Sequence, residues 1–452
     1  MKPGDLAEKL KKFWVVSAEK IRIIQKDYDS SKGSPVYTVN GKYTSRGWTE
    51  WTQGFQFGSV ILQFDATGDF HFLDSGRKDT VEKMAAHVSH FGVHDHGFNN
   101  LSTYGNLLRL MNEGRVVFNE WEKSYYELAI KISGAVQANR WTKIKDGGFI
   151  YSFNGPHSLF VDTLRSCRIL MASYLLGHSL KSENDVSVNL FERAVQHIES
   201  TARYSVYYGE GRDQFDVRGR TAHESVFNII DGNYRCPNSQ QGYSGFTTWT
   251  RGLAWAMLGF TEQLELVHKI DASEFLMCGG KKVIEDTMLK AALATCDFYI
   301  DNTPSDGIPY WDTGAPSLNK IGDYLNKPAE PYNDFEPVDS SAASIAAQGL
   351  LRLSNYLSMN GIDNSKIYLQ AGLTILDTLF SEPYLCTDPH HQGLILHSIY
   401  HRPNGWDNIP NGRKSPCNES SMWGDYHARE VALYLQRLIN NEKYYTFFTG
   451  LI

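Results

Sequence analysis

The chain has 452 residues, 42% apolar, 13% aromatic and 21% charged, enough hydrophobic material for a large core. That excludes a disordered chain, a coiled coil and a small disulfide-stapled domain. Lys plus Arg number 44 against 51 Asp plus Glu, a formal charge of -7 with no basic block, so no nucleic-acid partner is expected. No segment approaches the roughly 18 apolar residues of a membrane span, and the six cysteines form no C-x-x-C pair, so neither a membrane partner nor a zinc or disulfide framework is signalled.

Apolar residues recur at helical spacing through most of the chain, and period-two alternation is almost absent. This predicts a mainly α protein of twelve helices, over 5–25, 49–66, 75–90, 100–113, 115–133, 158–177, 184–203, 247–267, 280–300, 337–358, 363–380 and 421–440. The first interrupts its apolar stretch Phe13 to Val16 with charges on both sides, so it does not read as a signal peptide. A cytoplasmic location is expected, or a periplasmic one for a chain trimmed of its leader. In the sixth, Phe160, Leu164, Cys167, Met171 and Tyr174 fall three or four apart and form one buried stripe. The connectors 135–157, 204–246, 301–336 and 381–420 are long, and rich in Gly, Pro, Asn and aromatics. Recurring after every second helix, they suggest helical hairpins with one decorated end. Six such hairpins describe an all-α (α/α)6 barrel. No polar linker divides the chain, so residues 1–452 are expected to form a single domain.

Three places can carry chemistry. Asp95, in His94-Asp95-His96-Gly97-Phe98, can be a general base, a metal ligand or a helix cap. Asp162, at the start of the 158–177 helix, can be catalytic or merely favour the helix dipole. The run Gln241 to Trp255 holds Trp249 and Trp255 around Arg251 and follows His223. Flat rings, a forked cation and an amide are what a sugar site uses, although the indoles can equally be core and Arg251 can pair with an acidic residue. Asp339-Ser340-Ser341 reads as a capped helix start, and Asp306 to Asp312 lacks the ligand spacing of a calcium loop. His397, His401, Asp425 and His427 show no paired-histidine metal motif, and no phosphate loop is present, so no metal and no cofactor are expected.

Read together, His94-Asp95-His96-Gly97-Phe98, Asp162, Gln241-Gly242-Tyr243-Ser244, Trp249-Thr250-Arg251-Gly252, Pro309 to Asp312, Asp339 to Ala343 and Trp423 to Tyr426 resemble the unsaturated glucuronyl hydrolases, glycoside hydrolase family 88. Trp51-Thr52-Gln53-Gly54-Phe55 fits the same pattern. The resemblance implies an (α/α)6 barrel that hydrates the C4=C5 bond of the unsaturated uronic acid left on glycosaminoglycan-type oligosaccharides by lyases. It makes Asp162 the acid/base and Asp95 the second essential carboxylate, with Trp51, His94, His223, Gln241, Trp249, Arg251 and Trp255 as substrate contacts. Asp95 would raise the pKa of Asp162 as a like charge. The alternatives are an unsaturated rhamnogalacturonyl hydrolase acting on pectin-type disaccharides and a non-catalytic sugar-binding barrel.

Overall fold

A computed structural model describes residues 1–47 and 51–452; the expected start of the second helix at 49 lies outside the described residues. All twelve expected helical segments are found, with shifted ends. Six make an inner ring: Gln53–Thr67, the segment from His96 through Asn112, the pair Thr163–Ser166 and Arg168–Leu175, Thr250–Val267, Ser340–Met359 and Met422–Ile439. Each packs on the next, and the last returns to the first, so the ring closes. Around it stand Ala7–Asp27, Phe70–Lys83, Glu120–Asn139, Leu190–Tyr204, Lys281–Asp301 and Ser365–Leu379. The architecture is an (α/α)6 barrel.

Helix composition accounts for the two layers. Thr250–Val267 is buried at every position and Ser340–Met359 at nearly every one, as a helix surrounded on all sides requires. Leu190–Tyr204 instead buries Leu190, Phe191, Ala194, Val195 and Ile198 on one stripe and leaves Glu192, Gln196 and Glu199 half-exposed. Among the described residues no helix is long and apolar enough to cross a membrane. All six cysteines are unpaired.

Two stretches correct the expected pattern. Ser158–Phe160, read as the start of a helix, is a strand. All three of its residues are buried, so no alternation marks it. It pairs antiparallel with Glu224–Phe227, which pairs in turn with Tyr234–Asn238. The connector expected from 135 is helical to Asn139 and then forms the hairpin Trp141–Ile144 with Gly147–Ile150.

One glycine sets the closest approach within the ring. A Cβ on Gly97 would lie 2.1 Å from the carbonyl oxygen of Ser166, so only glycine lets the segment carrying Asp95 touch the one carrying Asp162. The Gly97 N–H donates to Ser166 Oγ at 3.1 Å, and that hydroxyl in turn donates to the carbonyl of His94.

Candidate active site

A cavity of about 380 Å³ is lined by Trp51, His94, Asp95, Asp162, Gln241 and Trp249, among others. Each of these residues immediately precedes an inner helix or lies in the connector that leads into one. The cavity therefore sits where the inner helices begin, and their positive dipole ends converge on it, which favours an anionic ligand.

Asp95 and Asp162 both occupy N-cap positions, yet neither side chain caps its helix. The capping alternative is thereby answered for Asp95, and the oxygens of both residues approach His94. His94 Nε2 lies 3.1 Å from Asp162 Oδ2 and 3.8 Å from Asp95 Oδ1. Gln137 Nε2 holds the His94 carbonyl at 2.8 Å, and Phe153 stacks on the imidazole at 5.8 Å.

The expected electrostatics are reversed. Burial pushes the Asp162 carboxyl up, but the hydrogen bond and charge of His94 outweigh it and hold the group below its ordinary value. Asp95 takes the rise instead: burial and the charge of Asp162 exceed the pull of His94. His94 itself is raised, because its two carboxylate neighbours overcome the cost of burying an imidazolium. The cluster thus holds an imidazole whose proton affinity is raised between an Asp162 that favours ionisation and an Asp95 that favours its proton more than a free carboxylate does.

His223 does not line the cavity but stands behind Asp162. Its Nδ1 accepts from the backbone N–H groups of Gln240 at 3.0 Å and Gln241 at 3.3 Å. Burial lowers its pKa to about 4, so the ring is neutral and carries its proton on Nε2. That Nε2 lies 3.8 Å from Asp162 Oδ1, and both atoms are buried without a hydrogen-bond partner.

Arg251 requires a revision. Its Nη1 pairs with Asp339 Oδ2 at 2.8 Å and donates to the Ile399 carbonyl, while Nη2 donates to Gln241 Oε1 at 3.0 Å and the Tyr400 carbonyl at 2.7 Å. Arg251 lines the cavity, as expected, but both terminal nitrogens already hold protein acceptors, so the guanidinium also braces Gln241 and Asp339. Trp249 and Trp423 cover it, at 4.7 and 4.9 Å from the ring centroids. Because Arg251 takes the Gln241 carbonyl oxygen, the amide N–H groups of Gln241 remain for a ligand. Asp339 also caps its helix as expected, accepting from Ser341 N and Ala342 N.

Trp51 stacks on Trp423 at 5.0 Å, and Trp255 meets His427 edge-on at 4.8 Å; both line the cavity. Sequence reasoning missed the opposite wall, formed by Tyr400, His401, Asn404 and Trp406. The aromatic density of the 381–420 connector is the available signal for it. As for metals, one ligand atom from each of His94, Asp95 and Asp162 lies within 4.8 Å of the others, so these three could hold a cation.

No family model matches the chain. It is 25% identical over 393 residues to the unsaturated glucuronyl hydrolase of Formosa agariphila, covering 86% of this chain and 81% of that one. It is also 25% identical over 410 residues to the unsaturated glucuronyl hydrolase of a Bacillus species, covering 90% of each. The crystal structure of an unsaturated glucuronyl hydrolase specific for heparin superposes with a TM-score of 0.71 at 18% identity, over 96% of this chain and 98% of that one. Along most of its sequence, and in its barrel, the chain is a homologue of the unsaturated glucuronyl hydrolases.

Proposed function

We propose that this chain, acting as one catalytic domain over residues 1–452, hydrates the C4=C5 bond of a 4,5-unsaturated uronic acid at the non-reducing end of glycosaminoglycan-type oligosaccharides. The observation that carries the reading is Asp162 itself, a carboxylate that lines the cavity, is held by His94 Nε2 at 3.1 Å and keeps Oδ1 free of any hydrogen bond. It can take the proton of a water that enters the pocket with the substrate. The names of the homologues support the substrate class.

In this mechanism Asp162 draws the proton for C4 from its hydrogen bond with His94. The arriving uronate is a like charge and raises the proton affinity of Asp162. As C4 is protonated, the water oxygen joins C5 and its proton returns to Asp162. One water has then been added across the double bond. The C5 hemiketal opens by breaking its bond to the ring oxygen, and the hemiacetal left at C1 releases the aglycone alcohol and a 4-deoxy-5-keto uronate. The usual distance rule for paired glycosidase carboxylates does not apply, because the anomeric carbon is not attacked directly. Gln241 donates to the uronate carboxylate, Trp51, Trp249 and Trp255 cover the sugar faces, and the Tyr400 to Trp406 wall receives the aglycone.

The test is to supply unsaturated chondroitin-derived and pectin-derived disaccharides separately and follow loss of the double-bond absorbance. Turnover of the first supports the reading. Turnover of the second alone would keep the hydration chemistry and overturn the substrate class, and absorbance unchanged with both would leave a binding barrel. Exhaustive chelation is expected to leave turnover intact; loss of activity restored by a divalent ion would place a metal on His94, Asp95 and Asp162.

A further inference from the structure

Five of the six outer helices each expose at most two large apolar side chains: Val15 on Ala7–Asp27, Phe70 and Val81 on Phe70–Lys83, none on Leu190–Tyr204, Val283 on Lys281–Asp301 and Ile367 on Ser365–Leu379. Glu120–Asn139 differs. Its Trp121, Tyr125, Leu128 and Ile132 are 87%, 39%, 55% and 39% exposed, and steps of four, three and four residues set them in one stripe along three turns. Val117 and Phe118, also exposed, lie just before the N-cap Asn119, at the Trp121 end.

The stripe does not hold the helix to the barrel. The opposite face does that, where Tyr126, Ile130, Ser133 and Gln137 are buried. Asn119 fixes the start of the helix by accepting from the N–H groups of Trp121 at 3.0 Å and Glu122 at 3.2 Å. The stripe is therefore presented on a rigid element, which lowers the ordering cost of covering it. At these exposures the four side chains with Val117 and Phe118 offer about 700 Å² of apolar surface, more than the few hundred Å² that monomers usually leave in one patch. Two such faces brought together bury about 1,400 Å², within the range of specific, stable interfaces.

The shape suits a second copy of the same chain. With the two helices antiparallel about an axis between Tyr125 and Leu128, Trp121 meets Ile132 of the second copy and Tyr125 meets its Leu128. Each ring then covers an aliphatic side chain, and the contact is isologous. No charge is trapped, because the stripe carries none and the charges on its flank are paired along their own helix, Glu127 lying 3.8 Å from Lys123 and 3.9 Å from Lys131. The same pairing disfavours an anionic membrane or a sulfated glycan, which would call for free cations beside the rings.

We propose that the outward face of Glu120–Asn139 is the interface of a two-fold homodimer built on Trp121, Tyr125, Leu128 and Ile132. None of the four lines the catalytic cavity, so the inference does not depend on the proposed reaction.

The test is the mass of the full chain in solution, by light scattering and sedimentation. At about 10 μM the wild type should have the mass of two chains. Trp121→Glu and Leu128→Glu alter side chains that are exposed in the single chain, so both should fold, with unchanged far-UV dichroism and turnover, and weaken dimerisation about 100-fold or more. Ile230→Glu, at a residue 92% exposed outside the stripe, should remain a dimer. A wild type with the mass of one chain even at about 100 μM would overturn the interface. So would a dimer that persists in both glutamate variants, since its contact would lie elsewhere. A single-chain wild type that floats with anionic vesicles, or is retained on immobilised chondroitin, and loses that property in Trp121→Glu would overturn it too, by giving the stripe another occupant.

Discussion

Asp162 and Arg165 stand three residues apart, both buried, in opposite surroundings. Arg165 gives Nε and Nη2 to Glu262 at 2.9 and 3.2 Å, Nη2 also to Glu430 at 2.5 Å, and Nη1 to His427. Glu430 further accepts from Gln348, Tyr426 and Tyr445. On the barrel axis, then, the charges around Arg165 are matched. At the pocket, Asp162 Oδ1 and His94 Nδ1 have no partner, and neither has His223 Nε2 behind Asp162. Burial alone therefore does not mark the site. The axis network fixes the helices that carry the pocket, whereas the pocket keeps bonding capacity for a ligand.

This contrast can be broken from either side. Asp162→Asn keeps the shape but loses the base, and should lower kcat about 10² to 10⁴-fold in a protein that still folds. Wild-type turnover in the folded variant would remove Asp162 from the chemistry. On the axis, Glu262→Ala leaves Arg165 and Arg168 short of a counter-charge and should cost about 3 to 5 kcal/mol in denaturant unfolding. A small loss there would mean the axis charges do not hold the barrel. Arg251 spans both regions. Arg251→Ala should destabilise the fold by orphaning Asp339, and also raise KM about tenfold, more than it lowers kcat, because Gln241 loses its brace. An unchanged KM would confine Arg251 to stability.

The smallest expected effect is on pH dependence. The folded pKa of His94 is raised above 6.5, so its stabilising contribution is complete below 6.5 and is lost as pH rises through the folded value. The imidazolium that hydrogen-bonds Asp162 disappears over the same range, and kcat/KM should show an alkaline limb above pH 6.5. His94→Gln should abolish that limb. Its persistence would assign it to another group.

The helices were legible because their periodicity is long and strong, and the two layers follow from which helices are apolar all round. The site was legible in composition but not in arrangement. Ser158–Phe160 escaped because a fully buried three-residue strand has no alternation to read, so Asp162 was placed in a helical turn instead of at a strand end. The Arg251 to Asp339 pair closes between residues far apart in sequence, which no local spacing reveals. The pKa order of the carboxylates was inverted because it depends on His94 bridging them, a matter of tenths of a nanometre.

The strand that escaped also constrains how the gene can change. The Val161 N–H donates to the His223 carbonyl at 2.9 Å, and Phe160 faces Glu224 across the ladder, so Asp162 and His223 flank one end of a small sheet. One codon inserted between Phe160 and Asp162, or between His223 and Glu224, would turn Asp162 or His223 to the opposite face. The exposed stretch from Gly209 to Val217 lies in the connector between these two strands but outside their ladder. Length variation there leaves the Asp162 to His223 gap intact, so among functional variants insertions and deletions should gather in that stretch and spare the two short junctions.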